Sequence, residues 1–223
     1  QDPEKIENYL TLSRIYRGQE MVPEALDVLN QARTVAPDNL DVCLEIAKIN
    51  IAFEQLEEAI SLLKEARTRY PHDPRIAGVI AEAYAKSGEQ EQAILELKQL
   101  LSTDQGNVDV MVQLGRVYAL GNMFDPATMT FKEVIKMAPS RAIGRVELGK
   151  IYIKMGKSFE DENMIENGVN ELREALKVDP NTSEGHLEMG LILKDRGKIN
   201  EALAEFEVTL KLDPLNIPAK EAY

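Results

Sequence analysis

Residues 108–141 read VDVMVQLGRVYALGNMFDPATMTFKEVIKMAPSR. Apolar residues recur there at spacings of three and four, which is the period of a helix. A second helical pattern follows a short break, with Pro126 in its first turn, where proline is tolerated. Ala138-Pro139 closes the segment. No stretch alternates with period two, so no strand is expected. The segment predicts helix, turn, helix, turn.

The same pattern recurs along the chain, and such a period decides the architecture. Pro3, Pro37, Pro71, Pro139, Pro180 and Pro214 are separated by 34, 34, twice 34, 41 and 34 residues, with Gln105 in the skipped place. Tyr16, Tyr84, Tyr118 and Tyr152 share that spacing, with Asn50 in the gap. So do Ala25, Ala59, Ala93 and Ala127, continued by Gly168 and Ala202. Three residue types with one period and one offset define frames 6–39, 40–73, 74–107, 108–141, 142–182 and 183–216. Position 8 of each frame is small: Ser13, Ala47, Ala81, Gly115, Gly149 and Gly190. Two antiparallel helices approach closely only at such residues, so position 8 is expected to face the Ala of position 20. One hairpin cannot bury both its faces, so neighbouring frames must stack.

Met111, Leu114-Gly115, Tyr118, Ala127, Phe131, Val134 and Pro139 in one frame, and His186, Met189-Gly190, Ala202, Phe206 and Pro214 in another, resemble the tetratricopeptide repeat family. The departures are the missing Trp at position 4, Asn50 for Tyr and Gln105 for Pro. The resemblance spans essentially the whole chain. It implies an all-α fold, a right-handed α-α superhelix (solenoid) of six helix-turn-helix repeats. The first helix of each repeat would line a concave groove.

Frame 142–182 is seven residues longer than the others, the extra residues falling near 157–167. Ile165, Val169, Leu172 and Leu176 keep helical spacing, so the insertion is read as an N-terminal extension of the second helix starting near Ser158–Asp161. Acidic residues there suit a helix start. Phe159, Asp161, Met164 and Ile165 form a candidate edge protrusion, either a tolerated bulge or a partner-specific lip.

Acidic residues number 38 against 26 basic ones, a net charge of −12, which argues against non-specific nucleic-acid binding. No apolar run reaches the length of a membrane span. Cys43 stands alone, so no internal disulfide framework exists, and it reads as a small core residue. His72 and His186 lack ligand partners at metal spacing, and Phe159-Glu160-Asp161-Glu162-Asn163 lacks the calcium-loop pattern. No phosphate loop or nucleophile elbow occurs, so no enzyme, cofactor or metal is expected.

By the resemblance, positions 2, 5, 9, 12 and 13 face the groove. Position 5 supplies Leu10, Leu44, Val112 and Val146, and position 12 supplies Ile51 and Ile153. Arg14, Lys48, Arg116 and Lys150 hold position 9, joined by Arg17, Lys86 and Lys154. An apolar strip beside cations suits a protein or peptide partner with apolar and acidic residues. The competing reading pairs Arg14 with Glu45, Arg116 with Glu147 and Lys150 with Glu188 as a salt-bridge ladder between repeats. Position 5 lacks the Lys, and position 9 the Asn, that would resemble a carboxylate-clamping subfamily. Position 6 lacks the Asn ladder of the glycosyltransferase-associated type. Three functions stay open: an interaction scaffold, a self-associating assembly module of a larger bacterial machine (secretion, polysaccharide export or organelle scaffold), or the regulatory arm of a multidomain enzyme. Residues 1–5 resemble the tail of a preceding repeat and 217–223 the start of a further repeat or cap. The expectation is that the chain is cut from a longer array.

Overall fold

The computed structural model describes residues 3–19, 21–71 and 73–223, and among them every regular element is an α-helix. Five hairpins alternate a first and a second helix: α1 (Pro3–Gly18) with α2 (Val22–Val35), α3 (Leu40–Ala52) with α4 (Leu56–Arg69), α5 (Pro74–Lys86) with α6 (Gln90–Thr103), α7 (Val108–Leu120) with α8 (Phe124–Met137), and α9 (Ile143–Phe159) with α10 (Glu162–Val178). A sixth, α11 (Ser183–Asp195) with α12 (Ile199–Leu212), precedes the short α13 (Ile217–Ala222). Residues 3–5 belong to α1, while Gln1 and Asp2, at the head of the proposed repeat tail, lie outside the described residues.

The chain divides into two compact units, Gln1–Gln113 and Leu114–Tyr223. In the first, α3 packs on α1 and α5 as well as on its own partner α4, so successive hairpins stack through their first helices. In the second, α9 and α11 repeat that contact, and α10 bridges them. Each unit is therefore a stack of helical hairpins, the organisation of a helical-repeat solenoid.

Local chemistry starts and stops these helices. Asn39, Asp73, Asn107 and Asn216 end their frames, and each side chain accepts an N–H from the first turn of the next helix. The five turns that follow α3, α5, α7, α9 and α11 each carry a residue in the left-handed region: Glu54 (φ 61°), Gly88 (85°), Asn122 (56°), Glu160 (54°) and Gly197 (73°). A backbone bond five residues back closes each turn, for example Glu89 N–H to the Tyr84 carbonyl at 2.7 Å.

The small positions are buried; in the long frame Gly149 meets Gly168 of position 20 as expected, but in two others the partner differs. A Cβ on Gly115 would stand 2.5 Å from the Phe131 ring, and one on Gly190 2.5 Å from Phe206. In these two frames the glycine makes room for the aromatic ring of position 24 rather than for the alanine of position 20. In five of the six frames the sequence then shows a rule: Ser13, Ala47 and Ala81 go with Leu29, Leu63 and Leu97, and Gly115 and Gly190 go with Phe131 and Phe206; in the long frame Gly149 meets Leu172 and the Gly168 backbone instead. In those five frames the volume of the position 8 and position 24 pair is kept nearly constant, as close packing requires.

The insertion also differs from its expected form. The left-handed residue sits at position 15 of four ordinary frames and at position 19 here, so four extra residues precede the turn and three follow it. Both helices are lengthened, each by about one turn of 3.6 residues. Gly149, Gly156 and Gly168 let α9 and α10 run this length in close contact. A Cβ on Gly168 would lie 2.6 Å from the Gly149 carbonyl oxygen.

Candidate functional site

The seven cations expected along the groove all sit on first helices, and they remain at least partly exposed. The apolar strip expected beside them does not line a surface. Leu10, Leu44, Ile51, Val112, Val146 and Ile153 are all buried, none more than 8% exposed. The cause is stacking: Leu10 packs with Val42 and Ile46 of the following repeat, and Val146 and Ile153 pack with Met189 and Ile192. Positions 5 and 12 face the neighbouring first helix, so they belong to the core. What the first helices present outward is charge, with a few exposed apolar side chains such as Leu12, Ile15 and Leu120.

In residues 1–113, Glu45 is the hub. It is 8% exposed and accepts from Arg17 at 3.3 Å and Lys48 at 3.1 Å. Arg14, the residue expected to reach it, pairs with Glu7 at 3.8 Å instead. Arg17 lies nearly one turn further along α1 and takes the place assigned to Arg14. Lys86 pairs only loosely with Glu82, 3.9 Å away on the same helix.

In residues 114–223 a larger cluster forms around Glu147, which is 4% exposed. Arg116 Nε donates to it at 2.6 Å and a second nitrogen reaches Glu184 at 3.4 Å. Lys150 donates to Glu184 at 2.9 Å and approaches Glu147 at 3.5 Å and Glu188 at 3.9 Å. Three carboxylates thus share two cations. Burial works to lower the pKa of Lys150, but Glu147, Glu184 and Glu188 outweigh it and hold the ammonium above its ordinary value. Burial alone would raise the Glu184 carboxyl, yet Lys150 and Arg116 bring it below the usual range. Glu188, furthest from the cations, is pushed up, first by burial and then by the like charges of Glu184 and Glu147. Lys154 donates to the Ala119 carbonyl at 3.1 Å and lies 5.5 Å from the centre of the Phe124 ring.

The edge residues divide in function. Only Phe159 projects, 64% exposed, with its ring edge-on to Phe124 at 6.5 Å. Asp161 caps α10, accepting the N–H groups of Asn163 and Met164. Ile165 packs against the hairpin core, and Met164 is half-buried. The added turn is tied to its other neighbour as well: Lys157 pairs with Asp195 at 2.5 Å, and Arg196 with Glu162 at 2.8 Å and Glu166 at 3.0 Å. It is braced from both sides, rather than a free bulge.

His186 is inward and saturated, with Nδ1 2.6 Å from Glu205 and Nε2 3.0 Å from the Pro180 carbonyl. It clasps α11 to α12. His72 lies outside the described residues. Cys43 is buried, and burial pushes its thiol up, away from reactivity. Among the described residues no group of three or more His, Cys, Asp or Glu is placed to hold a metal ion. No helix there is long and apolar enough to cross a membrane. Sequence reasoning missed the Arg75–Asp41 pair at 2.7 Å. Its signal was the change from Asp41 to Arg75 at position 2 of consecutive frames.

A model described as tetratricopeptide repeat matches residues 16–83 and 50–109, and a second such model matches 149–182. No curated protein sequence matches. Among solved structures, a tetratricopeptide repeat protein from Parabacteroides merdae is similar with a TM-score of 0.70 at 15% identity, covering 99% of this chain and 84% of that one. A thermophilic protein of the same repeat class from Thermus thermophilus is similar with a TM-score of 0.61 at 19% identity, over 81% and 96% of the two chains. The human IFIT1 dimer with PPP-AAAA is similar with a TM-score of 0.64 at 16% identity, over 94% of this chain and 50% of that one. At these identities the likeness concerns the fold alone.

Proposed function

Because the chain belongs to the tetratricopeptide repeat family, whose repeats indicate a protein-interaction scaffold, we propose that it is non-catalytic and binds a peptide or partner domain along the exposed face of its first helices. The observation that supports this reading is the retention of Arg14, Lys48, Arg116 and Lys150 at the surface of a chain of net charge −12. With the apolar positions buried between repeats, recognition rests on ionic and hydrogen-bond contacts, and the partner is an acidic segment. Charge complementarity of this kind acts mainly on association rate and selectivity. It predicts a strong dependence on ionic strength.

The variant that tests this must spare the buried Glu147. Arg116 and Lys150 neutralise that carboxylate, so reversing them would confound binding with folding. Arg14→Glu/Lys86→Glu changes two cations that are 45% and 43% exposed and pair with carboxylates of their own helices. A partner isolated with the wild-type chain should bind this variant several-fold more weakly by calorimetry. Equal affinity, with an unchanged helical spectrum, would remove the first-helix face from the interaction.

A further inference from the structure

Position 4 of the frames holds Tyr9, Cys43, Ala77, Met111, Arg145 and His186, so frame 74–107 has the smallest side chain of the six. Two other frames show what this position does. Arg145 pairs with Glu171 at 2.8 Å and His186 with Glu205 at 2.6 Å. Both carboxylates come from position 23 of the same frame, counted past the insertion in the long one. Frame 74–107 keeps that carboxylate as Glu96, but Ala77 cannot reach it. Arg67 of the preceding hairpin donates to Glu96 instead, at 2.7 Å.

The short side chain leaves a cavity of about 160 Å³ between α4, α5 and α6. Its floor is Ile76 and Ala77 of α5, both buried, with Leu100 of α6 beside them. Gln99 and Thr103 stand exposed at its mouth, so it opens to solvent. Arg67 and Glu96 lie together in the wall and cancel in charge. Asp73, the remaining charged residue of the wall, is engaged by Arg75 at 2.8 Å. The cavity therefore suits a neutral occupant. The second terminal nitrogen of Arg67 is buried and meets no acceptor among the described residues, a cost that an incoming oxygen would relieve once the guanidinium turns toward it. An occupant must thus bring apolar bulk for the floor, an acceptor for Arg67 and a donor for Glu96. A phenol has all three, since its hydroxyl both accepts and donates. A carboxamide has the polar pair but leaves the apolar floor uncovered. The volume is right for one ring, because an apolar cavity of about 150 Å³ holds a benzene molecule.

We propose that this cavity is a docking site for a tyrosine side chain of a partner protein. The ring lies on Ile76, Ala77 and Leu100, and the hydroxyl accepts from Arg67 and donates to Glu96. Tyrosine suits an interface of this kind, with one end apolar and the other polar. The site is independent of the first-helix face: it uses none of that face's cations and selects for an uncharged residue.

The test uses the full chain and two probes: p-cresol, the tyrosine side chain alone, and toluene, which lacks only its hydroxyl. Each is titrated while backbone amide shifts are followed by NMR. Saturable shifts of the Ala77, Gln99 and Leu100 amides are expected with p-cresol. Toluene should bind about tenfold more weakly, for want of a hydrogen bond to charged groups. A peptide with blocked ends, Gly-Ser-Tyr-Ser-Gly, should shift the same amides. Ala77→Met fills the cavity and should abolish binding of all three, with the helical spectrum unchanged. Arg67→Met/Glu96→Met replaces both members of the ion pair by apolar side chains and should make p-cresol and toluene bind alike. Absence of saturable shifts at millimolar p-cresol overturns the proposal, as does equal affinity of Ala77→Met and the wild type. Toluene binding as tightly as p-cresol to the wild type would make the cavity a general apolar one and overturn the assignment to tyrosine. Binding of p-cresol without binding of the peptide would assign the site to a free phenol and overturn the protein partner.

Discussion

Gly190→Ala should destabilise the protein, although alanine is the better helix former. The methyl group gains about 1 kcal/mol of helix propensity over glycine. It also arrives 2.5 Å from Phe206 Cε1 and 2.7 Å from Cδ1. Phe206 is 1% exposed and packed in a cluster with Leu187, Ala202 and Ala219. Overpacking of this kind costs about 1–3 kcal/mol, so the net loss should be about 1–2 kcal/mol. Phe206→Leu alone leaves a void and should cost about 1–2 kcal/mol, below the 3–5 of truncation to Ala. Together the two changes recreate the Ala–Leu crossing of frames 40–73 and 74–107. The double variant should return to within about 1 kcal/mol of the wild type, a favourable coupling of about 2–3 kcal/mol. Urea unfolding followed by helical ellipticity reads all four corners of the cycle, provided the m-values agree. For a chain of this length each kcal/mol also moves the melting midpoint by about 2–4 °C. Additive effects, or a Gly190→Ala variant as stable as the wild type, would refute the volume rule. Gly115 with Phe131 supplies an independent second cycle.

Glu160 and Glu54 occupy left-handed turn positions, a conformation that costs a non-glycine residue about 1–2 kcal/mol. After the entropy that glycine loses on folding, Glu160→Gly should stabilise by about 0.5–1 kcal/mol in a thermal melt. Arg116→Ala leaves the buried Glu147 to Lys150 alone and should cost about 2 kcal/mol, partly restored by Glu147→Gln. The raised Glu188 carboxyl binds its proton more tightly folded than unfolded. Its contribution is therefore complete below the ordinary carboxylate range and is lost as pH rises through its folded value. Glu188→Gln should accordingly be more stable than the wild type at pH 7, with the advantage vanishing in acid, as read from urea midpoints at the two pH values.

The hairpin architecture was legible because proline, tyrosine and alanine each mark a different physical event, and all keep one period. Proline ends a frame, tyrosine fills the hairpin interior, and alanine lets two helices meet. Contacts between frames were harder to read. Leu10 and Val146 have the same apolar character whether they line a groove or face the next repeat, and only stacking geometry separates the two. The Arg17–Glu45 pair escaped because a long side chain reaches nearly a turn along its helix, so spacing in sequence does not choose between Arg14 and Arg17. The insertion was placed in one helix because Ile165, Val169 and Leu172 show helical spacing but give no sign of where the turn falls. The glycine–phenylalanine pairing was present in the sequence, yet it becomes visible only once position 24 is known to lie over position 8.

The lengthened hairpin has a consequence for how such a chain can change its length. Seven residues divided four and three across a turn add about one turn to each helix, within about 40° and 60° of a whole rotation, so the buried positions below keep their facing. An added length of two or five residues within the helices would rotate one flank and expose its apolar stripe. Length variation inside this hairpin is therefore best accommodated in steps of about seven residues, each raising the edge by about one turn. The same step offers a way to contour the rim of an engineered repeat array without redesigning its interior.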